Sequence, residues 1–80
     1  MSKYENFEKK VLEVEYSITA QWDLFKDQAE QVLRNFSANQ KELDELMDFF
    51  NKKLKNRVGG ITADAFDIAY HQIGLNREDE

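Results

Sequence analysis

The sequence predicts an all-α domain, and three observations carry that reading. There is no proline, and the only glycines are Gly59, Gly60 and Gly74, so nothing in the backbone chemistry interrupts a helix before residue 59. Apolar residues recur seven apart through Tyr4, Val11, Ile18, Phe25 and Val32, which draws one stripe along a helix. Cap-like residues, Ser37 and Thr62, then divide the rest of the chain.

The first expected helix runs from about Lys3 to Asn35. Its stripe steps by three and four through Tyr4, Phe7, Val11, Val14 and Ile18, then takes an extra step of four to Trp22 before Phe25, Ala29, Val32 and Phe36. Such a stutter locally unwinds a supercoil. The stripe therefore drifts around a straight helix about 50 Å long at 1.5 Å per residue. The second helix is expected over Ala38–Arg57, with Ser37 as N-cap and Gln40 three residues on, as in a capping box. Leu43, Leu46, Met47, Phe50 and Leu54 form its apolar face. Lys52, Lys53, Lys55 and Arg57 offset the negative helix end, and Gly59-Gly60 closes it. The third helix is expected to start at Thr62 as N-cap. Ile61 and Phe66 would form a hydrophobic staple across that start. Phe66, Ala69, Tyr70 and Ile73 face inward, and Gly74 with Leu75 provides a left-handed stop. The expected architecture is a long N-terminal helix packed antiparallel on the second, with the short third helix closing one end. It forms one domain over residues 1–75, followed by an acidic frayed tail over 76–80.

Size and charge narrow the function. A domain of 80 residues buries only about 60–65% of its chain surface, so it gains from disulfides, a metal or self-association. No cysteine is present, which removes disulfides and thiolate metal sites and leaves self-association. The net charge is −5, and residues 59–80 hold one basic and five acidic side chains. That is the opposite of a nucleic-acid-binding footprint. No apolar run approaches the ~20 residues of a membrane span, and no signal-peptide pattern opens the chain. The expectation is a soluble cytoplasmic protein with no membrane and no direct nucleic-acid contact.

Residues with chemical potential are few. Asp64, Asp67 and His71 share one side of the third helix at spacings of three and four. Without a facing Glu-x-x-His helix they read as a polar outer face rather than a metal site. No phosphate loop or nucleophile elbow is present, and the carboxylates of Glu13 and Glu15, two apart, point about 160° from each other on a helix, so no enzyme, cofactor or metal is expected. The third helix follows a Gly-Gly turn as a recognition helix does, yet carries Asp64, Asp67, His71 and Gln72 where base-reading cations belong.

The informative residues lie off the main stripes. Leu12, Tyr16, Ala20 and Leu24 form an i+4 row on the first helix, and Ile68 points away from the apolar face of the third. A row of this kind forms a contiguous patch. These five residues are the expected interface, with a protein partner or with a second copy in a homodimer that brings the long helices together. The function expected is that of a small regulator or inhibitor binding a larger protein. The composition also fits small accessory proteins of bacteriophages and mobile elements, counter-defence inhibitors among them. The alternatives are an assembly protein acting only by oligomerisation and an acidic mimic of nucleic acid.

Overall fold

The structure, a computed structural model, describes residues 2–17 and 21–78, with side chains described as far as Leu75. Among these residues every regular element is helical: α1 (Lys3–Tyr16), α2 (Trp22–Phe36), α3 (Gln40–Phe49) and α4 (Gly60–Glu78), with a π turn (Phe50–Leu54) and a 3-10 turn (Lys55–Arg57) between the last two. The all-α class is as the sequence predicts. The single long helix is not: it is two helices, α1 and α2. A 33-residue helix would exceed the molecule's greatest extent of 35 Å. The radius of gyration, 11.7 Å, is close to the roughly 12 Å expected of a compact 80-residue chain.

The break has a local cause and a packing consequence. Ser17 closes α1 by donating its hydroxyl to the Val14 carbonyl at 2.9 Å, the local bond by which serine competes with helix continuation. This is the neighbourhood of the phase slip between Ile18 and Trp22. Both halves of the stripe are then buried in one core: Phe7, Val11 and Val14 from α1, and Phe25, Ala29, Val32 and Leu33 from α2. Each aliphatic or aromatic side chain taken fully from water contributes about 1.5–3 kcal/mol.

Caps set the other boundaries. Ser2 accepts from the Glu5 amide at 3.1 Å and starts α1. The cap of α3 is Asn39, two residues beyond the expected Ser37. Asn39 Oδ1 accepts from the Glu42 amide at 2.9 Å, and the Glu42 carboxylate reaches back to the Ala38 amide at 2.6 Å. Ser37 is buried and donates to the Leu33 carbonyl at 2.6 Å, so it serves the end of α2 instead. The expected apolar face of the second helix, from Leu43 to Leu54, is buried as predicted, although its last part is π and 3-10 rather than α.

α4 differs most from expectation. It begins at Gly60, two residues before Thr62, and runs through Gly74 to Glu78. No glycine has a positive φ, so the expected left-handed stop at Gly74 does not form. Ile61 and Leu75 lie within the helix and are exposed, rather than folded onto Phe66 and Tyr70.

The core is centred on Phe7. Its ring meets Phe36 of α2 at 5.8 Å, Phe49 of α3 at 6.3 Å and Phe66 of α4 at 6.3 Å between centroids. One side chain thus touches the other three helices. Phe50 stacks on Phe66 at 4.9 Å. Helices α2 and α4 pack together, and both bury small residues, Ala29 on α2 and Ala63, Ala65 and Ala69 on α4. Small side chains let helix axes approach closely.

Candidate functional site

The end of α1 meets the start of α4 at one corner of the molecule. Glu15, in the last turn of α1, accepts a hydrogen bond from the Gly59 amide at 3.1 Å and another from the Thr62 hydroxyl. The first α-helical bond of α4 runs from the Ala63 amide to the Gly59 carbonyl at 3.0 Å, which makes Gly59 the N-cap position. A carboxylate from another helix therefore caps α4, where the helix end is positive. Thr62, expected as that cap, sits one turn inside, completely buried, and acts as donor. Gly59 eases this approach: a Cβ there would lie 3.2 Å from Glu15 Oε1, tighter than an ordinary contact. Beside the same end of α1, Ser17 Oγ lies 3.5 Å from Gln28 Oε1 of α2.

The expected interface residues fall out unequally around this corner. Tyr16 is 86% exposed and Leu24 53%, while Leu12 is half-buried. Gln28 follows Leu24 by one helical turn, and Ser17 follows Tyr16 directly. Tyr16 thus adjoins, in sequence, the residue of α1 that approaches α2, and Leu24 lies one turn before the residue it approaches. Ala20 lies outside the described residues. Because α1 and α2 are separate helices, the row expected along one helix is divided between two. Trp22, which the apolar stripe assigns to the core, is 41% exposed here as well.

Ile68 is exposed on α4, as expected, and it has company that sequence reasoning missed. Ile61 and Leu75 are 55% and 64% exposed. The signal was present: Ile61, Ile68 and Leu75 are spaced seven apart. It was hidden because the expected helix ended at Gly74 and assigned its flanking residues to a staple and a closing turn.

Two other clusters involve α3. Tyr4 and Phe49, rings 4.8 Å apart, floor an open recess of about 270 Å³ whose walls are Glu45, Asp48, Lys52 and Lys53. This is below the roughly 300–1,000 Å³ of most small-molecule sites. Lys52 pairs with Asp48 at 3.1 Å, and Arg57 pairs with Glu8 of α1. Two of the late cations thus have acidic partners. Between α3 and α4, Asp44 Oδ1 accepts from the Tyr70 hydroxyl at 2.5 Å and from Gln40 Nε2 at 2.8 Å. The Tyr70 hydroxyl, and secondarily the Gln40 amide, hold the Asp44 carboxyl below the usual carboxylate range. The same bond to Asp44, with burial, pushes the Tyr70 phenol up.

Asp64, Asp67 and His71 do not converge. His71 Nδ1 lies 2.7 Å from the Asp67 backbone carbonyl, and among the described residues no three acidic or imidazole side chains gather as metal ligands. No described helix is long and apolar enough to cross a membrane. Comparison of the chain with protein families, with curated proteins and with solved structures finds no match.

Proposed function

We propose that the protein works by binding another, larger protein, as a regulator or inhibitor, through the exposed side chains of Tyr16 at the end of α1 and Leu24 at the start of α2. The observation that supports this reading is the exposure of Tyr16. An aromatic ring left 86% in water, on a chain that also leaves Leu24 53% exposed, has no role in holding the fold. Tyrosine and tryptophan are the residues that dominate protein interfaces, because a rigid ring buries much area for little lost freedom. The corner is also well anchored. Glu15, one residue from Tyr16, ties α1 to the start of α4, so Tyr16 is presented on a fixed frame.

The test is affinity capture from the native host with the intact chain, beside a Tyr16→Glu/Leu24→Glu variant. The same specific protein should be retained by the first and lost by the second, while circular dichroism of the two is superimposable. Equal capture by both would contradict the assignment of these two residues. Loss of helicity in the variant would show that they belong to the core.

A further inference from the structure

Between residues 61 and 75, α4 has five exposed positions: Ile61, Asp64, Ile68, His71 and Leu75. They are spaced three, four, three and four apart. At 100° per residue they occupy an arc of only about 80°. This is the a/d pattern of a coiled-coil seam, with Ile61, Ile68 and Leu75 at one set of positions and Asp64 and His71 at the other. A helix on the surface of a domain ordinarily turns its charged residues outward. Here the most outward line is mainly aliphatic, and the opposite face, through Phe66, Ala69 and Ile73, is buried in the core.

We infer that this face of α4 pairs with the same face of a second copy, antiparallel, about a two-fold axis at Ile68. The spacing selects the occupant. Ile61 and Leu75 lie at equal distances of about 10.5 Å on either side of Ile68, at 1.5 Å per residue. In an antiparallel pair Ile68 meets its own symmetry mate, and Ile61 meets the second copy's Leu75. Asp64 lies about 6 Å before Ile68 and His71 about 4.5 Å after it. Antiparallel pairing therefore brings each Asp64 to within about 1.5 Å in height of the second copy's His71. A carboxylate then faces a group that is neutral or positive, twice by symmetry. Parallel pairing would set the Asp64 carboxylates of the two copies against each other, and that repulsion disfavours it. A chain this small also gains more than most from self-association. The paired helix is α4, not the long N-terminal helix that the sequence suggests. The face is distinct from Tyr16 and Leu24, so pairing and partner capture stand or fall separately.

Because the chain contains no cysteine, one introduced residue supplies its only thiol. Ile68→Cys should form a disulfide-linked dimer with oxidised glutathione, well above an exposed control, Asn51→Cys. An equimolar mixture of Ile61→Cys and Leu75→Cys should cross-link mainly position 61 to position 75. In an antiparallel pair the two copies of position 61 stand about 21 Å apart, too far for a disulfide. All positions are exposed, so circular dichroism should match the parent chain. Cross-linking of Ile68→Cys no faster than the control would overturn the pairing. So would 61-to-61 linkage as abundant as 61-to-75, which would signify a parallel pair or random collision. None of these changes touches Tyr16 or Leu24. A failed cross-link therefore leaves the partner reading intact, and capture unaffected by Tyr16→Glu/Leu24→Glu leaves the pairing intact.

Discussion

The two faces of α4 are built from similar residues and do different work. The inner face holds Phe66, Ala69 and Ile73 in the core, where Phe66 stacks on Phe50 at 4.9 Å and meets Phe7 at 6.3 Å. The outer face holds Ile61, Ile68 and Leu75 in solvent. A hydrophobicity profile does not separate them, since both are largely apolar. What separates them is phase on the helix, and phase is set by the Glu15 cap at one end and by Phe66 packed on Phe7 and Phe50. An apolar residue on a short helix thus says little about stability until the helix's rotation is known.

The contrast between the faces should be largest at Phe66. Phe66→Ala should lose about 3–5 kcal/mol in urea unfolding, the usual cost of deleting a buried aromatic ring. That is a large part of the roughly 4–12 kcal/mol available to a domain of this length. On the outer face, where Ile68 is 38% exposed, Ile68→Glu should cost no more than about 1 kcal/mol, measured at a dilution where the chain is monomeric. Comparable losses at the two positions would mean that the assigned rotation of α4 is wrong.

The cap that fixes the rotation comes next. Glu15→Ala removes the acceptor for the Gly59 amide and strands the buried Thr62 hydroxyl. A loss of about 1–2 kcal/mol is expected, as for a strong N-cap. Thr62→Ala added to it should cost little more, and full additivity of the two in a double-mutant cycle would argue against the contact. The glycines at the two ends of this stretch should respond with opposite signs. Gly74→Ala should stabilise by roughly 0.5–1 kcal/mol, because the backbone there is helical and the new Cβ would sit at an ordinary 3.6 Å from Gln40 Oε1. Gly59→Ala should destabilise, because its Cβ would crowd Glu15 Oε1.

The smallest expected effect is the pH dependence of the Asp44–Tyr70 link. Asp44 has a lowered pKa in the folded chain, so its contribution is present above the unfolded value of 3.8 and is lost as pH falls through the folded one. Tyr70 has a raised pKa, so its contribution is present below the unfolded value of 10.0 and is lost as pH rises through the folded one. Asp44 is exposed and Tyr70 only half-buried, so Tyr70→Phe should cost under about 1 kcal/mol at neutral pH. Melting curves of the variant should show weaker losses than the parent as pH falls below 3.8 and rises above 10.0. Identical pH profiles would show that the link contributes nothing to stability.

Much of this was legible in the sequence, and the misses share a cause. The all-α class, the buried face from Leu43 to Leu54 and the exposure of Tyr16, Leu24 and Ile68 follow from periodicity alone. Helix ends did not. The slip between Ile18 and Trp22 was visible but reads equally as drift of one helix or a break between two. Ser17 decides for the break, through a bond to a carbonyl that no pattern announces. Ser37 and Asn39 are both good caps, and only the burial of Ser37 against Leu33 selects Asn39. Glu15 lies 44 residues before Gly59, so no local signal could mark it as the cap of α4. Nothing in residues 50–54 marks the π turn. The outer stripe was missed because Gly74 resembles a stop. Once α4 continues through it, Ile61, Ile68 and Leu75 fall into line.

That α4 has one face for the chain and one for a second copy is tested most directly by sedimentation equilibrium of the unmodified protein over a wide concentration range, beside Ile68→Glu. The mass should rise with concentration from 9.5 kDa toward twice that value and stop there. Ile68→Glu, equally helical, should stay at the mass of one chain. A parent chain that remains monomeric throughout, or a variant that associates as readily as the parent, would contradict the pairing.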